Sequence, residues 1–393
     1  MSDLPAIDPA GHLIHLGPQK TGTTAIQVAL FGVRDQLPEY GAYYPGGSYR
    51  RRRAGWALGL PGAPRGMKRD LRYWRSLVQE VQAAEGLRVC ISDENYARAN
   101  RETAQKIVTD LAGPTTQIVA VAKRFDKLLP SQWQERVKSG QQRDFEQWLR
   151  VILDGEPAEF DYEYWNFWQG HDFAKLVERW TEFVPPEKFT LIIADDSDRN
   201  QLYRVFEQLL ALPTGLLRSD ASKSNESVRW SELEFLRGLR QMYLDSGGPI
   251  EELSRLRNAV VNSLRSSTTA PLGPKSPPFP DWAVERLQEL GAQRAEQAAN
   301  LPVRVVGDAA SLARVELEPD PGITADQLVI PVDRVVSIAQ GILKAQGAFE
   351  PLPQAPEAAP ASAAPTPEPT TPLADASTRQ LAGALLRRIT GRS

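Results

Sequence analysis

The chain predicts an α/β fold of three layers. A central, mainly parallel sheet is flanked by helices, with helical C-terminal additions and a disordered Pro/Ala-rich tail beyond it. Three observations lead there. Short apolar runs recur at 12–16, 87–92, 117–122 and 188–194, as expected for strands buried on both faces. Helix-compatible segments separate them, which is the alternation of a parallel sheet. The first run leads straight into Gly17…Gly22, a glycine-bounded turn of the kind that joins a strand to a helix around an anion.

The elements follow in order. Residues 1–11 read as a flexible lead. Helical patterns cover 23–36, 71–84, 101–112, 130–138, 143–153 and 171–183, and then 198–212 and 228–245. A polar, Pro-rich stretch at 266–280 interrupts them, and 281–299 is helical again. After Val303-Arg-Val-Val306 the signal fades, with one more helix expected over 332–346. These assignments divide the chain into a phosphate-loop domain at 12–310 and a C-terminal extension at 311–349. A linker at 350–377 follows, with eight prolines between 351 and 372, a composition that builds no core. Residues 378–393 close the chain with a short basic amphipathic helix. Its Leu381, Leu385, Leu386 and Ile389 suit docking of 378–390 into a groove on a protein partner. No internal repeat is evident.

Composition narrows the function. The 393 residues carry a net charge of −3 with pI near 5.9, which argues against a general nucleic-acid binder. A hydrophobic fraction of 41% suits a globular enzyme with a core. The single cysteine, Cys90, lies in an apolar run and reads as a buried core thiol. Three histidines and one cysteine, unclustered, give no zinc pattern. No run approaches a membrane span, and the N-terminus lacks the regions of a signal peptide. The reading is a soluble protein of a reducing compartment.

His12-Leu-Ile-His-Leu-Gly-Pro-Gln-Lys-Thr-Gly-Thr-Thr-Ala-Ile-Gln27 is the segment that carries chemistry. Strand, loop and helix succeed one another. Such a loop aims backbone N–H groups at one anion, backed by the positive end of a helix dipole. The position of the lysine separates chemistries. A nucleotide-triphosphate loop reads G-x-x-x-x-G-K-[ST]. Gly17 and Gly22 keep that spacing, but Thr23 stands at the lysine position and the lysine sits inside the loop, at Lys20.

Pro-x-Lys-Thr-Gly-Thr-Thr resembles the 5′-phosphosulfate loop of sulfotransferases, which use 3′-phosphoadenosine-5′-phosphosulfate (PAPS). The resemblance implies that Pro18, Lys20, Thr21, Gly22, Thr23 and Thr24 hold the 5′-phosphosulfate, with Lys20 catalytic. A second block, Gln117-Ile-Val-Ala-Val-Ala-Lys-Arg124 running on to Ser131 and Trp133, resembles the family's 3′-phosphate block. It implies that Arg124 and Ser131 bind that phosphate, a task suited to a guanidinium fork and a hydroxyl. One departure is visible. Arg124 is preceded by Lys123 and followed by Phe125-Asp126, where the family more commonly has a second arginine or Asn-Pro. Ser222-Lys-Ser-Asn-Glu-Ser227 resembles a late polar loop of the family, with Lys223 in reach of the 3′-phosphate; a helix N-cap explains it equally. The family implies PAPS as co-substrate, no metal, and a bacterial-type cytoplasmic location.

Sulfuryl transfer also needs a base. Glu94, at the end of Val89-Cys-Ile-Ser-Asp-Glu94, is the candidate, with Asp93 and His15 as competitors. A helix cap or a salt bridge to Lys20 is the structural alternative for either carboxylate. His15 also reads as a core histidine, His12 lies further along the same strand, and His171 belongs to another region.

Two features suit an acceptor. Nine cations fall between Arg50 and Arg75, opposed only by Asp70. They form a solvated basic face or a capture surface, with Arg53 as its substrate-binding candidate. Phe160-Asp-Tyr-Glu-Tyr-Trp-Asn-Phe-Trp168 packs a core or lines a sugar cleft, with Trp165 and Trp168 as platform candidates. The reading is a sulfotransferase acting on a hydroxyl or amine of a carbohydrate or of another polar or anionic acceptor. Two alternatives stand beside it. A small-molecule kinase is suggested by Asp93-Glu94 after a strand, and opposed by Thr23. A non-catalytic partner protein would act through its tail.

Overall fold

The computed structural model describes residues 4–64, 66–218 and 228–347, all within the compact unit Met1–Phe349. The linker, the terminal segment 378–390 and the Ser222–Ser227 loop with Lys223 lie outside the described residues.

Six strands form one sheet in the order β2-β3-β1-β4-β5-β6. They are β1 (His12–His15), β2 (Ala42–Tyr43), β3 (Arg88–Ser92), β4 (Thr116–Ala122), β5 (Phe189–Ile193) and β6 (Arg304–Val306). Every pairing is parallel, so the sheet is wholly rather than mainly parallel among the described strands. The four apolar runs became β1, β3, β4 and β5. β2 and β6 add the edges and were not expected. Two or three residues carry no periodicity, and these form strands only because Arg88–Val89 and Thr190–Ile192 offer an open edge.

The helices are α1 (Thr23–Gly32), α2 (Arg52–Ala57), α3 (Arg72–Gln82), α4 (Arg101–Asp110), α5 (Phe125–Lys138), α6 (Phe145–Leu153), α7 (Tyr162–His171) and α8 (Phe173–Thr181). They continue as α9 (Gln201–Leu210), α10 (Trp230–Asp245), α11 (Ile250–Arg265), α12 (Asp281–Ala299) and α13 (Val332–Ala345). Three departures from expectation have local causes. α5 starts at Phe125, not 130, and carries Pro130 inside it. The segment expected as one helix at 171–183 belongs to two. Asp172 ends α7 and caps α8, its side chain accepting from the Lys175 N–H at 3.1 Å. α2, α7 and α11 were not expected.

Alternation along each strand builds the layers. Ile14, Ile91, Ile118 and Leu191 point to one face and pack against Trp74 and Leu77 of α3, Ile107 of α4 and Trp180 of α8. Leu13, Cys90, Val119 and Ile192 point to the other, against Ile26 and Leu30 of α1 and Phe206 of α9. Cys90 is thus a core thiol, its pKa pushed up by burial. A third cluster, built mainly from helices, joins α5, α6, α7, α10, α11, α12 and α13.

The first segment is not loose. Ile7 is buried, and its N–H donates to the Leu209 carbonyl at 2.8 Å. Nor is 311–349 a bare extension: Arg334 of α13 is buried with Glu232 of α10, and Gly341 lies against the backbone of Val260.

The winding sets the site. From β1 the chain moves outward to β2, returns to β3, then crosses β1 to reach β4. Reversal beside β1 opens a crevice at the carboxyl ends of the strands, where ligands bind in such sheets. Register places the end of β1 beside Ser92 on one side and Val119 on the other.

Candidate active site

The loop 17–24 fills that crevice. Gly17 has φ +93°, and a Cβ there would stand 2.6 Å from the Glu94 Cα. Only glycine lets the two strand ends approach this closely. Its carbonyl accepts from the Val121 N–H at 3.2 Å, which ties the loop to β4. Gly22, at φ +97°, starts α1 with no side-chain cap. The Thr23 and Thr24 N–H groups at the head of α1 therefore lack both an intrahelical acceptor and a cap, as a receptor for an anion requires.

The three threonines divide the work differently from expectation. Thr21 and Thr23 are buried, and both hydroxyls donate to the Pro18 carbonyl, at 2.8 and 3.1 Å. They shape the loop. Thr24 accepts from the Arg50 guanidinium, which brings the basic segment to the head of α1. Arg50 also donates to Gln27 at 3.2 Å.

Lys20 adopts a left-handed backbone, φ +64°, at the turn of the loop. Its ammonium meets Glu135 of α5 at 3.1 Å, not Glu94 or Asp93. Burial alone would raise the Glu135 carboxyl. Lys20 and Lys138 outweigh it and hold the group at about 2. Gln132 donates to Gln19 at 3.2 Å. α5 thus runs along the loop, and half-buried Ser131 lies one turn before Glu135.

The second phosphate candidate is engaged within the chain. Arg124 grips buried Asp126 with two hydrogen bonds, 3.1 and 2.5 Å, and meets Glu316 at 3.1 Å. The Asp126 pairing first, and Glu316 after it, raise the guanidinium's pKa further. The departure after Arg124 has this consequence: Asp126 is its structural partner.

At the end of β3, Glu94 is mostly buried and faces Arg52 of α2 at 3.6 Å. Asp93 is buried, and its Oδ1 accepts from the backbone and side chain of Asn95, both at 2.9 Å. Its Oδ2 has no partner among the described residues, and a Cβ at Gly55 of α2 would stand 2.8 Å from it. Burial pushes the Asp93 carboxyl up to about 7.

His15 drops out as a base. It is fully buried, its Nδ1 is 2.9 Å from Ser92 Oγ, and its ring packs edge-on against Phe206 at 4.9 Å. Burial pushes it down to about 3, so it is neutral. His12 donates to the Leu111 carbonyl at 2.7 Å, at the far end of β1. His171 packs on Phe167.

Two residues near the loop escaped the sequence reading. Glu135 is one; a carboxylate on the helix after a basic strand end was the available signal. The other is Arg98, buried, bonded to Asn95 and Asn166. Gly170 of α7 packs between it and Pro18. Nothing in the sequence marked Arg98.

The acceptor candidates separate. Arg53 lies on α2, the helix that touches Asp93 and Glu94, and donates to the Tyr73 hydroxyl at 2.7 Å. Trp165 and Trp168 lie on the face of α7 opposite Gly170, away from Pro18. Trp168 donates to the Ile152 carbonyl at 3.0 Å and packs on Phe125. No group of three His, Cys, Asp or Glu able to hold a metal occurs among the described residues. No helix among them is long and apolar enough to cross a membrane.

Among solved structures, the chain is similar to one described as a sulfotransferase from Alicyclobacillus acidocaldarius. Identity is 16% and the TM-score 0.38, over 64% of this chain and 100% of that one. A superposition that loose leaves the function to the chain's own residues. No family model matches the chain, and no curated protein does.

Proposed function

We propose that the chain is a PAPS-dependent sulfotransferase. The observation that carries the reading is Lys20, set inside the loop with its backbone left-handed, while Thr23 occupies the lysine position of a triphosphate loop and bonds back to Pro18. A cation placed there suits the bond between a 5′-phosphate and a sulfuryl group. The uncapped head of α1 and the Arg50 guanidinium at Thr24 make the crevice fit an anion.

PAPS, when bound, supplies an activated sulfuryl group whose sulfur–oxygen bond to the 5′-phosphate breaks as sulfur bonds to the acceptor oxygen or nitrogen. Lys20 stabilises charge on the departing phosphate oxygen, free of Glu135 to the extent that the anion outcompetes it. Thr21, Thr23 and Gly22 hold the loop in shape, and Thr24 with the first amides of α1 faces the 5′-phosphate. Glu94, which faces Arg52, takes the acceptor proton. Asp93 is the competing base: a carboxyl near 7 titrates where a base is useful, but it faces α2 backbone at Gly55. Arg124 reaches a 3′-phosphate if that phosphate displaces exposed Glu316, while Asp126 keeps the guanidinium in place. Ser131 adds a hydroxyl on the same helix. Arg53 and its basic neighbours receive the acceptor.

Calorimetric titration with 3′-phosphoadenosine-5′-phosphate (PAP), without magnesium, tests this. Micromolar-range binding, weakened at least about tenfold in Lys20→Ala, is expected, a loss near 1.4 kcal/mol. No PAP binding, together with magnesium-dependent ATP binding, would overturn it in favour of a kinase.

A further inference from the structure

A cleft of about 570 Å³ opens between the segment 155–161, α7 and α12. That volume suits a bound small molecule. Along α7, Glu163, Asn166, Phe167, Gly170 and His171 turn inward, and Gly170 lies against Pro18 of the phosphate loop. Tyr164, Trp165 and Trp168 fall on the opposite side and line the cleft. A helix about 10 Å across therefore separates this cleft from the loop.

Its lining is unusual for a surface. Phe160 is 79% exposed. Phe160 and Trp165 lie with centroids 6.5 Å apart and planes tilted 45°; Tyr164 and Trp168 lie 6.2 Å apart at 47°. Rings that pack on each other form a tilted platform. They do not face one another across a gap, as a cage for a quaternary ammonium would require.

The charges point away from an anion. Arg286 is paired with Glu289 at 2.7 Å and Lys175 with Asp172 at 3.7 Å. Arg179 donates to the Ala97 and Gln169 carbonyls. Glu156 and Glu159 line the cleft with no ion pair among the described residues. Burial, then Glu156 and Asp172, raises the Tyr164 hydroxyl, in line with a negative local potential. Aromatic faces for C–H surfaces and amide and carboxylate acceptors for hydroxyls make one combined demand, and Arg179, which has no carboxylate partner among the described residues, is tied to two backbone carbonyls.

We infer that this cleft is a binding site for a neutral oligosaccharide, distinct from the phosphate-loop site, with Phe160 and Trp165 as its stacking surface. It binds whether or not the chain transfers a sulfuryl group.

The full-length protein, titrated calorimetrically with maltohexaose, cellohexaose and N-acetylchitohexaose, provides the test, with choline and a heparin hexasaccharide as charged counter-probes. Saturable binding of at least one neutral sugar is expected. Phe160→Ala and Trp165→Ala each weaken it about tenfold, the loss of one stacking ring, with unchanged melting temperature. Phe160 is exposed enough that its truncation leaves the fold intact should Trp165→Ala unfold. Absence of binding by all three sugars overturns the inference. So does sugar binding that survives in Phe160→Ala, or tighter binding of choline or heparin.

Discussion

Replacing Glu135 by glutamine should weaken the fold and tighten anion binding at once. The Lys20–Glu135 contact is 3.1 Å, with side chains 29% and 40% exposed. Two unit charges at that distance in full water screening attract by about 1.3 kcal/mol. The fall of the Glu135 carboxyl to about 2 corresponds at face value to roughly 3 kcal/mol. That figure is shared with Lys138, and two-fifths of the carboxylate side chain is open to solvent. Screening and side-chain entropy reduce the Lys20 share to about 0.5–1 kcal/mol. Glu135→Gln should therefore lose about that much stability at pH 7 by urea unfolding. A carboxyl depressed in the folded state stabilises above its unfolded pKa. The gap between variant and parent should thus close as pH falls from about 4.5 to about 2. PAP no longer has to displace a carboxylate from Lys20. Its affinity should rise roughly two- to fivefold at low salt, the same energy read as binding, and the gain should shrink as salt is added. Weaker or unchanged PAP binding in Glu135→Gln would refute the placement of Lys20 as the charge that meets the anion.

Three further outcomes are expected. Arg124→Ala leaves buried Asp126 with only the Glu316 N–H at 3.0 Å and Lys127 at 4.0 Å and should cost about 3 kcal/mol, whereas Glu316→Ala removes only the exposed partner and should cost less than about 1 kcal/mol by urea unfolding. Similar losses in both would show that the inner pair is not the structural one. The Asp93 carboxyl, raised to about 7, makes the folded state hold a proton that the unfolded chain releases near 3.8, so its contribution to stability falls as pH rises between those values. Asp93→Asn should match the parent at low pH and exceed it by up to roughly 4 kcal/mol at pH 8; parallel stability curves would contradict this. His15, held neutral to about 3, acts in the opposite sense, and stability is lost as pH falls from 6.5 toward 3. His15→Gln should remove about 1.4 kcal/mol per pH unit from the slope near pH 5, measured by urea unfolding across that range.

Much of the architecture could be read along the chain because it is local. Ile14, Ile91, Ile118 and Leu191 sit in runs apolar enough to be buried on both faces, and such runs become central strands whatever surrounds them. The Gly17…Gly22 spacing and the position of Lys20 foretold a loop shaped by its own torsions and by the Thr21 and Thr23 hydroxyls. α11 was not expected, although Leu253, Leu256, Val260 and Leu264 recur at helical spacing. Pairings were not legible, because they join residues far apart in sequence. Lys20 meets Glu135 across 115 positions, and Arg124 meets Glu316 across 192. Burial of His15 was legible as a core reading, but its partner was not: the pleat turned the ring onto Phe206. Likewise the aromatic segment 160–168 gave composition but not direction. Helical periodicity in α7 and the packing of Gly170 on Pro18 decided which rings line a cleft and which side of the helix that cleft occupies. The four central strands, the loop and the chemical type of each candidate are legible along the chain. Only the tertiary structure decided which charges are already neutralised and which faces remain open, because Coulomb energy and burial depend on distance in space, not along the chain.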